Sequence, residues 1–353
     1  MCYLEIPMKT HEKINLKVPS FSELKAWFVR QDFPAYRSKQ LIHWMYNKKA
    51  NRLDQLTDFA KKERVYLEEN SYIGDLETVR ESRSEDGTVK FLFKLEDGEQ
   101  IESVLIPDGD RKTLCVSTQA GCGLACRFCL TATGGLRRNL RAFEIVDQFI
   151  SVSRHYPITN IVMMGMGEPL ANFQEVEEAI GRLTDPSACS FSPRRITVST
   201  AGMVPGILKL GQLPVKVNLA VSLNAATNEI RDRIMPINKT YPLETLLEAC
   251  RAYPLSPRRK IFFEYVLLER INDSPGDARR IIKLLKGIPC KINLIPFNEF
   301  EGSEFRRPQE KVILEFQKIL LDARMTAFIR KTRGNDVLAA CGQLLHIKNE
   351  RSA

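Results

Sequence analysis

Apolar positions change their spacing twice along this chain. Up to about residue 70 they recur at intervals of three and four. Leu24, Trp27 and Phe28 follow the capping pattern Ser20-Phe-Ser-Glu23, which predicts a helix start. A second helix is expected from about Ser38, with Leu41, Trp44 and Met45 on one face, and a third near 53–67. From Thr88 the period becomes two. Thr-Val-Lys-Phe-Leu-Phe-Lys-Leu leads to Glu96-Asp97-Gly98-Glu99 and then to Gln-Ile-Glu-Ser-Val-Leu-Ile-Pro107, which reads as a hairpin on an Asp-Gly turn. Glu102 lies in its second strand, between Ile101 and Ser103, where a carboxylate is more often simply exposed.

After Pro107 the two periods alternate. Strands are predicted at 113–117, 159–164, 195–199, 215–223, 260–267 and 291–296, and helices at 143–153, 174–183, 204–210, 243–250, 277–286 and 311–321. A last apolar segment covers 326–330. Such alternation predicts a parallel sheet covered by helices. Six units fall short of an eightfold barrel, so the expected fold is α/β: a partial (β/α)6 barrel, a small helical N-terminal accessory domain and a connecting β-hairpin. The boundaries are placed at 1–85 for the helical domain, 86–107 for the hairpin, 108–345 for the core and 346–353 for a short tail.

Composition narrows the partners. Lys plus Arg number 52 against 43 for Asp plus Glu, a net charge of +9, with a pI near 9.0. That balance favours an anionic partner such as nucleic acid, although a merely basic enzyme also fits. Lys48-Lys49 beside Trp44 and Tyr46 suits contact with an RNA backbone; a solvated helical face accounts for it equally. No apolar run approaches the roughly 18–20 residues of a membrane span, and the first residues lack the apolar core of a secretory signal. Nine cysteines, an odd number in a long chain, do not resemble a disulfide scaffold. Reduced thiols and a cytoplasmic setting are expected. Cys2, Cys189, Cys250 and Cys290 have no partner spacing and read as small core or surface residues.

The chemistry concentrates after the first core strand, in Cys115-Val-Ser-Thr-Gln-Ala-Gly-Cys122-Gly-Leu-Ala-Cys126-Arg-Phe-Cys129. Thiolates suit iron–sulfur clusters or zinc. Three cysteines at C-x3-C-x2-C would leave one iron of a cubane without a local protein ligand, free to bind a small molecule. A structural zinc knuckle with a distant fourth ligand is the other reading. Gly167-Glu168-Pro169 closes the second strand, Ser199 the third and Ser222-Leu223-Asn224 the fourth, and Asn298 follows the sixth. Small polar groups at strand C-termini line ligand sites in such folds, while each alone reads as a turn or cap residue. Two thiols outside the triplet, Cys115 and Cys341, leave a redox or covalent role open.

Taken together, TLCVSTQAGCGLACRFC, RRNLRA, PITNIVMMGMGEPL, RRITVSTAG, EIRDRIMPINKTYPLE, CKINLIPFN and RKTRGNDVLAACGQL resemble the RlmN/Cfr family of radical S-adenosylmethionine (SAM) RNA adenine methyltransferases, and within it the RlmN branch. The resemblance runs from Glu102 to Leu344 and extends to the helical N-terminal part as that family's RNA-binding accessory domain. It implies a radical-SAM barrel with one [4Fe-4S] cluster on Cys122, Cys126 and Cys129. It also implies SAM contacts at Gly167, Glu168, Ser199, Ser222, Leu223, Asn224 and Asn298. Asn224 departs from the Ser-Leu-His-Ala of a common family version, which leaves a backbone contact implied there.

The implied reaction is methylation of adenosine C2 in 23S ribosomal RNA, at the peptidyl-transferase centre, and in transfer RNA, 3′ to the anticodon. Two SAM molecules are used per turnover. The first methylates Cys341; the second yields the radical that activates the S-methyl group, which then bonds to the base. Glu102 takes the C2 proton and Cys115 resolves the protein–RNA adduct as a disulfide. A flavodoxin-type electron donor and a thioredoxin-type reductant are family expectations. C8 methylation of the same ribosomal adenosine, as in Cfr, and a zinc-stabilised RNA-binding protein are the alternatives.

Overall fold

A computed structural model describes residues 13–344; Cys2 and the expected tail at 346–353 lie outside them. The described chain divides into two compact units, residues 13–75 with 182–190, and residues 76–181 with 191–344.

In the first unit, strand β1 (Ile14–Asn15) pairs in parallel with β2 (Ser71–Tyr72). The capping pattern does what it predicts at α1 (Phe21–Arg30). Glu23 N–H donates to Ser20 Oγ, and the Glu23 carboxylate accepts the Ser20 N–H at 2.8 Å. Helix α2 (Tyr36–Ile42) passes into a wider turn over 43–47. The third expected helix is interrupted: only a short 3-10 turn forms at Leu53–Gln55, and α3 (Lys61–Asn70) begins after Ala60 in an extended conformation. Leu24, Phe28, Leu41, Met45, Leu56 and Leu67 form the core. Arg182 belongs to this unit and is 2% exposed. It donates to Lys17 O at 2.5 Å, Pro19 O at 2.9 Å and Tyr46 Oη at 3.0 Å. Tyr46 is therefore core, not part of a basic–aromatic surface, because its hydroxyl anchors that buried guanidinium.

The second unit is built on one ten-stranded sheet. Strands β3 (Glu77–Arg83), β4 (Val89–Lys94), β5 (Gln100–Asp108) and β6 (Arg111–Cys115) are antiparallel neighbours. A separate small ribbon pairs β7 (Gln119–Gly121) with β8 (Leu136–Asn139). From β6 the sheet continues in parallel through β9 (Asn160–Met163), β10 (Ile196–Thr200), β11 (Asn218–Ser222), β12 (Ile261–Leu267), β13 (Cys290–Pro296) and β14 (Ala327–Ile329). The six expected core strands are present, and the apolar segment at 326–330 adds a seventh.

The sheet does not close; β14 and β3 are its edges. The hairpin is continuous with the core sheet through β5–β6 pairing, so it is not a separate connector. Residues 77–83 are strand rather than part of a helical domain, and the compact units part ahead of the boundary expected at 85.

A one-turn α4 (Leu130–Thr133) follows the cysteine loop. Helices α5 (Ala142–Ser153), α6 (Phe173–Thr184) and α7 (Val204–Gln212) fall where the 3.6-residue period predicts them. A short α8 (Asn228–Ile234) was not foreseen, whereas α9 (Leu243–Ala252), α10 (Pro275–Leu284) and α11 (Glu310–Asp322) were.

Candidate active site

Strand register places four of the expected residues on one face. Val104 is opposite Cys115, which neighbours Val162, and that row continues through Thr197 to Asn218. Alternation by two then sets Glu102, Cys115, Ser199 and Ser222 on the same side of the sheet. Ser222 is next to Glu264, and Glu264 to Asn293, so this face carries polar groups across most of its width.

The cysteine loop is fixed by backbone hydrogen bonds. Cys122 N–H donates to Gly135 O at 2.9 Å, Cys129 N–H to Cys126 O at 3.1 Å, and Arg127 N–H to Ile234 O at 3.0 Å. Burial pushes the Cys122 thiol up to about 11 and Cys126 still higher, with the charges of Cys129 and Glu168 adding to both. That mutual influence brings the three sulfurs and Glu168 into one locality.

Cys341 arrives from the far end of the chain and is tied to this loop. Leu130 N–H donates to Gly342 O at 2.7 Å, Thr131 Oγ1 to Leu344 O at 2.7 Å, and Asn298 Nδ2 to Cys341 O at 3.2 Å. Gly342 adopts φ +83°, and a Cβ there would stand 3.4 Å from Phe128 O. Cys341 is open to solvent, yet the protein around it desolvates the thiolate and pushes it up to about 12, with Cys129 and Glu264 adding to the shift. Burial likewise takes Cys115 up to about 12, and the second cause is the charge of Cys341. The two thiols outside the triplet thus lie within electrostatic reach of one another.

Glu168 follows two close-packed glycines. A Cβ on Gly165 would lie 2.8 Å from Val116 backbone, and one on Gly167, at φ +99°, would lie 2.5 Å from Gln119 Cβ. These contacts require glycine where the β9 turn crosses the end of β6. The Glu168 carboxylate accepts Leu170 N–H at 3.1 Å and Ala201 N–H at 2.7 Å. Burial raises its pKa. Two of its roughly four acceptor sites are used by backbone and a third by the Thr200 hydroxyl, leaving capacity for one further donor. Asn224 is left-handed, φ 54°, which an asparagine tolerates. Its amide is spent internally, accepting Val266 N–H at 2.9 Å and donating to Met235 Sδ at 3.2 Å.

Glu102 is 2% exposed and meets Lys90 Nζ at 3.0 Å. They line a cavity with Arg80, Ser82, Asp336 and Leu338. Lys90 also donates to Leu338 O at 3.3 Å, linking the hairpin to the segment that leads to Cys341. Sequence reasoning missed Lys90, because a strand lysine signals nothing until its neighbour is known. It also missed Glu264 and Arg330, whose charges act on Cys341, and Arg231.

The donor set fits an iron–sulfur cluster with three protein thiolates. Three sulfurs, those of Cys122 and Cys126 desolvated, stand on one short loop without a His or a fourth Cys in it, beside small polar strand ends that could receive a second ligand. Among the described residues no three His, Cys, Asp or Glu side chains converge on the point that one metal ion would occupy.

Residues 116–285 match the family model described as the Radical SAM superfamily, and residues 14–73 match one described as the ribosomal RNA large subunit methyltransferase N-terminal domain. The chain is similar to the dual-specificity RNA methyltransferase RlmN of Geobacter sulfurreducens, 52% identical over 94% of this chain and 92% of that one. It is 50% identical to the RlmN of Geotalea uraniireducens, over 94% and 97%. Its fold is similar to the crystal structure of a radical SAM methyltransferase from Sphaerobacter thermophilus, with a TM-score of 0.90 and 40% identity over 94% of this chain and 99% of that one.

Proposed function

Because this chain belongs to the RlmN family of SAM-dependent radical RNA methyltransferases, we propose that it methylates adenosine at C2, in 23S ribosomal RNA at the peptidyl-transferase centre and in transfer RNA 3′ to the anticodon. The observation that carries this reading is the docking of the Cys341 segment onto the cysteine loop, with Cys115 beside it. A radical-SAM enzyme acting by simple hydrogen abstraction has no need of two extra thiols at its centre.

Cys122, Cys126 and Cys129 would hold the cluster, and Gly167, Glu168, Ser199, Ser222, Leu223 and Asn298 would border SAM. Asn224 would take part through its backbone, since its side chain is committed to Val266 and Met235. Bound there, the cluster and two SAM molecules per turnover would supply a methyl group and a hydrogen-abstracting radical.

The remaining work falls to the chain's own residues. Cys341 Sγ, losing its proton, attacks the methyl carbon of the first SAM, S-adenosylhomocysteine leaves, and the sulfur carries the carbon to the base. The S-methyl group gives up one hydrogen atom to that radical and its carbon bonds to adenine C2; the single electron this leaves on the ring would pass back to the bound cluster as the C2 proton departs. Glu102, held by Lys90, takes the proton from C2. Cys115 Sγ attacks Cys341 Sγ, breaking the carbon–sulfur bond and leaving a disulfide, and the released carbon takes up a proton to become the new methyl group. A thioredoxin-type reductant would restore both thiols, and a flavodoxin-type donor would supply the cluster electron. Residues 13–75, with their exposed lysines, would bind RNA, in a cytoplasmic setting. Among the described residues no helix is long and apolar enough to cross a membrane.

The test is mass-mapping of RNA from a strain lacking the gene, with and without its return. Methyl appearing at adenine C2 is the expected result. Methyl at C8 would assign the Cfr-type reaction, and no methylation by cluster-loaded protein on natural RNA would overturn the reading.

A further inference from the structure

Arg231 projects from α8, and its side chain is fully buried. Nε donates to Leu223 O at 3.0 Å, Nη2 to Ala201 O at 2.6 Å and to Ser222 O at 3.1 Å, and Nη1 to Asn238 Oδ1 at 3.0 Å. Three of these acceptors are backbone carbonyls at the ends of β10 and β11, on the rim proposed to receive SAM. The Ala201 peptide is gripped on both sides, its N–H by Glu168 and its C=O by Arg231. Space for the guanidinium depends on Gly202, at φ +113°, where a Cβ would stand 3.0 Å from Nη2.

Carbonyls can satisfy the hydrogens of a buried guanidinium but do not neutralise it. Among the described residues its one nearby carboxylate, Asp232, acts through Asn238, whose Nδ2 donates to Asp232 Oδ1 at 2.7 Å, so the buried cation has no direct ion pair and its burial is costly. Desolvation lowers Arg231 only to about 10, so it stays charged at neutral pH, and the field of Cys126 opposes the lowering. The same helix meets the cysteine loop, where Arg127 N–H donates to Ile234 O at 3.0 Å. Cys126 packs against the apolar group that contains Ile234 and Met235. A permanent positive charge therefore sits behind the thiolate loop, where an anionic group would offset its burial.

We propose that Arg231 is a positioning residue that locks the strand-end carbonyls around SAM and, through its buried charge, makes the cluster on Cys122, Cys126 and Cys129 easier to reduce. This rests on the reading that those thiols hold a [4Fe-4S] cluster. Net charge and nearby hydrogen bonding are principal controls on the potential of such a centre.

Anaerobically purified, cluster-loaded protein is titrated electrochemically with EPR detection, and its SAM affinity is measured by equilibrium binding. At the wild-type midpoint, Arg231→Gln is expected to lower the ratio of reduced to oxidised cluster about tenfold, near 59 mV for one electron. Arg231→Lys keeps the charge but cannot reach all three carbonyls; it is expected to leave that ratio within about twofold and to weaken SAM about tenfold. Gly202→Ala, which pushes the guanidinium away, should weaken SAM as well. Arg231→Gln with full iron and an unmoved midpoint overturns the proposal. If that variant does not fold, Arg231→Lys decides: SAM affinity within twofold of wild type overturns the proposal, and a tenfold loss upholds it. A wild-type protein that is colourless and carries zinc would instead defeat the cluster reading itself, and iron analysis separates the two failures.

Discussion

A thiol pushed up to about 12, as Cys341 is, makes a poor nucleophile until something beside it favours the thiolate. The electrophile in the proposed first step is a cationic sulfonium, so its arrival would supply that help. The two thiols then separate by what their loss should do. Cys341→Ala is expected to retain SAM cleavage and to yield no methylated adenine, measured by 5′-deoxyadenosine release against RNA mass. Cys115→Ala is expected to accumulate protein covalently joined to RNA, visible as a nuclease-sensitive shift in a denaturing gel. Full methylation by both variants would remove the two-thiol scheme. Part of this was readable before any fold was known, since C-x3-C-x2-C is local. The nearness of Cys115 to Cys341 was not readable from spacing. It arises because residues 341–344 fold back onto the loop that follows β6, and only the family likeness suggested the pairing.

Elements that bury one face were legible, and elements held by pairing alone were not. Strands β9 to β13 carry apolar runs between helices with a clear 3.6-residue period, and each begins or ends within a few residues of its expected bounds. Strand β3 reads Glu-Thr-Val-Arg-Glu-Ser-Arg and is exposed along nearly all its length, so hydropathy offers no sign of it; it exists because β4 supplies the ladder. Helix α8 has seven residues, four of them charged, and it is set in place by the Thr227 cap and by Arg231. The turn between β3 and β4 shows the same dependence on polar anchoring.

Burial alone would raise the Asp86 carboxylate, but hydrogen bonds from Thr88, Gly334 and Ser84 bring it from the ordinary 3.8 to about 2. Its pKa is depressed in the folded protein, so its contribution is present above about pH 4 and is lost as pH falls toward 2. After screening by solvent, about 1 kcal/mol is expected. Asp86→Asn should unfold that much more easily at pH 7, and the difference from wild type should vanish near pH 2 in denaturant titrations. An unchanged difference across that range would show that Gly334 does not depend on this carboxylate.

At the scale of the molecule, charge and topology point to different parts of the chain. The net +9 gives no address, but Lys48, Arg52, Lys61 and Lys62 are exposed on the first unit. If they meet phosphates, Lys48→Ala with Lys62→Ala should reduce the salt dependence of RNA binding by about two phosphate contacts. An unaltered slope in filter-binding assays would return those lysines to solvent. The topology was legible as class and as strand count less one. It could not be read as an open sheet that runs without a break from the N-terminal hairpin into the parallel core.

The backbone bonds from Leu130 and Thr131 to residues 342 and 344 have a further consequence. The loop proposed to grip iron is also the floor on which the sulfur proposed to carry the methyl group rests, so damage to one would dislodge the other. A molecule whose metal is destroyed by oxygen would lose its aim along with its spark. It would stop before touching a nucleobase, rather than stranding a half-finished RNA on its own side chain.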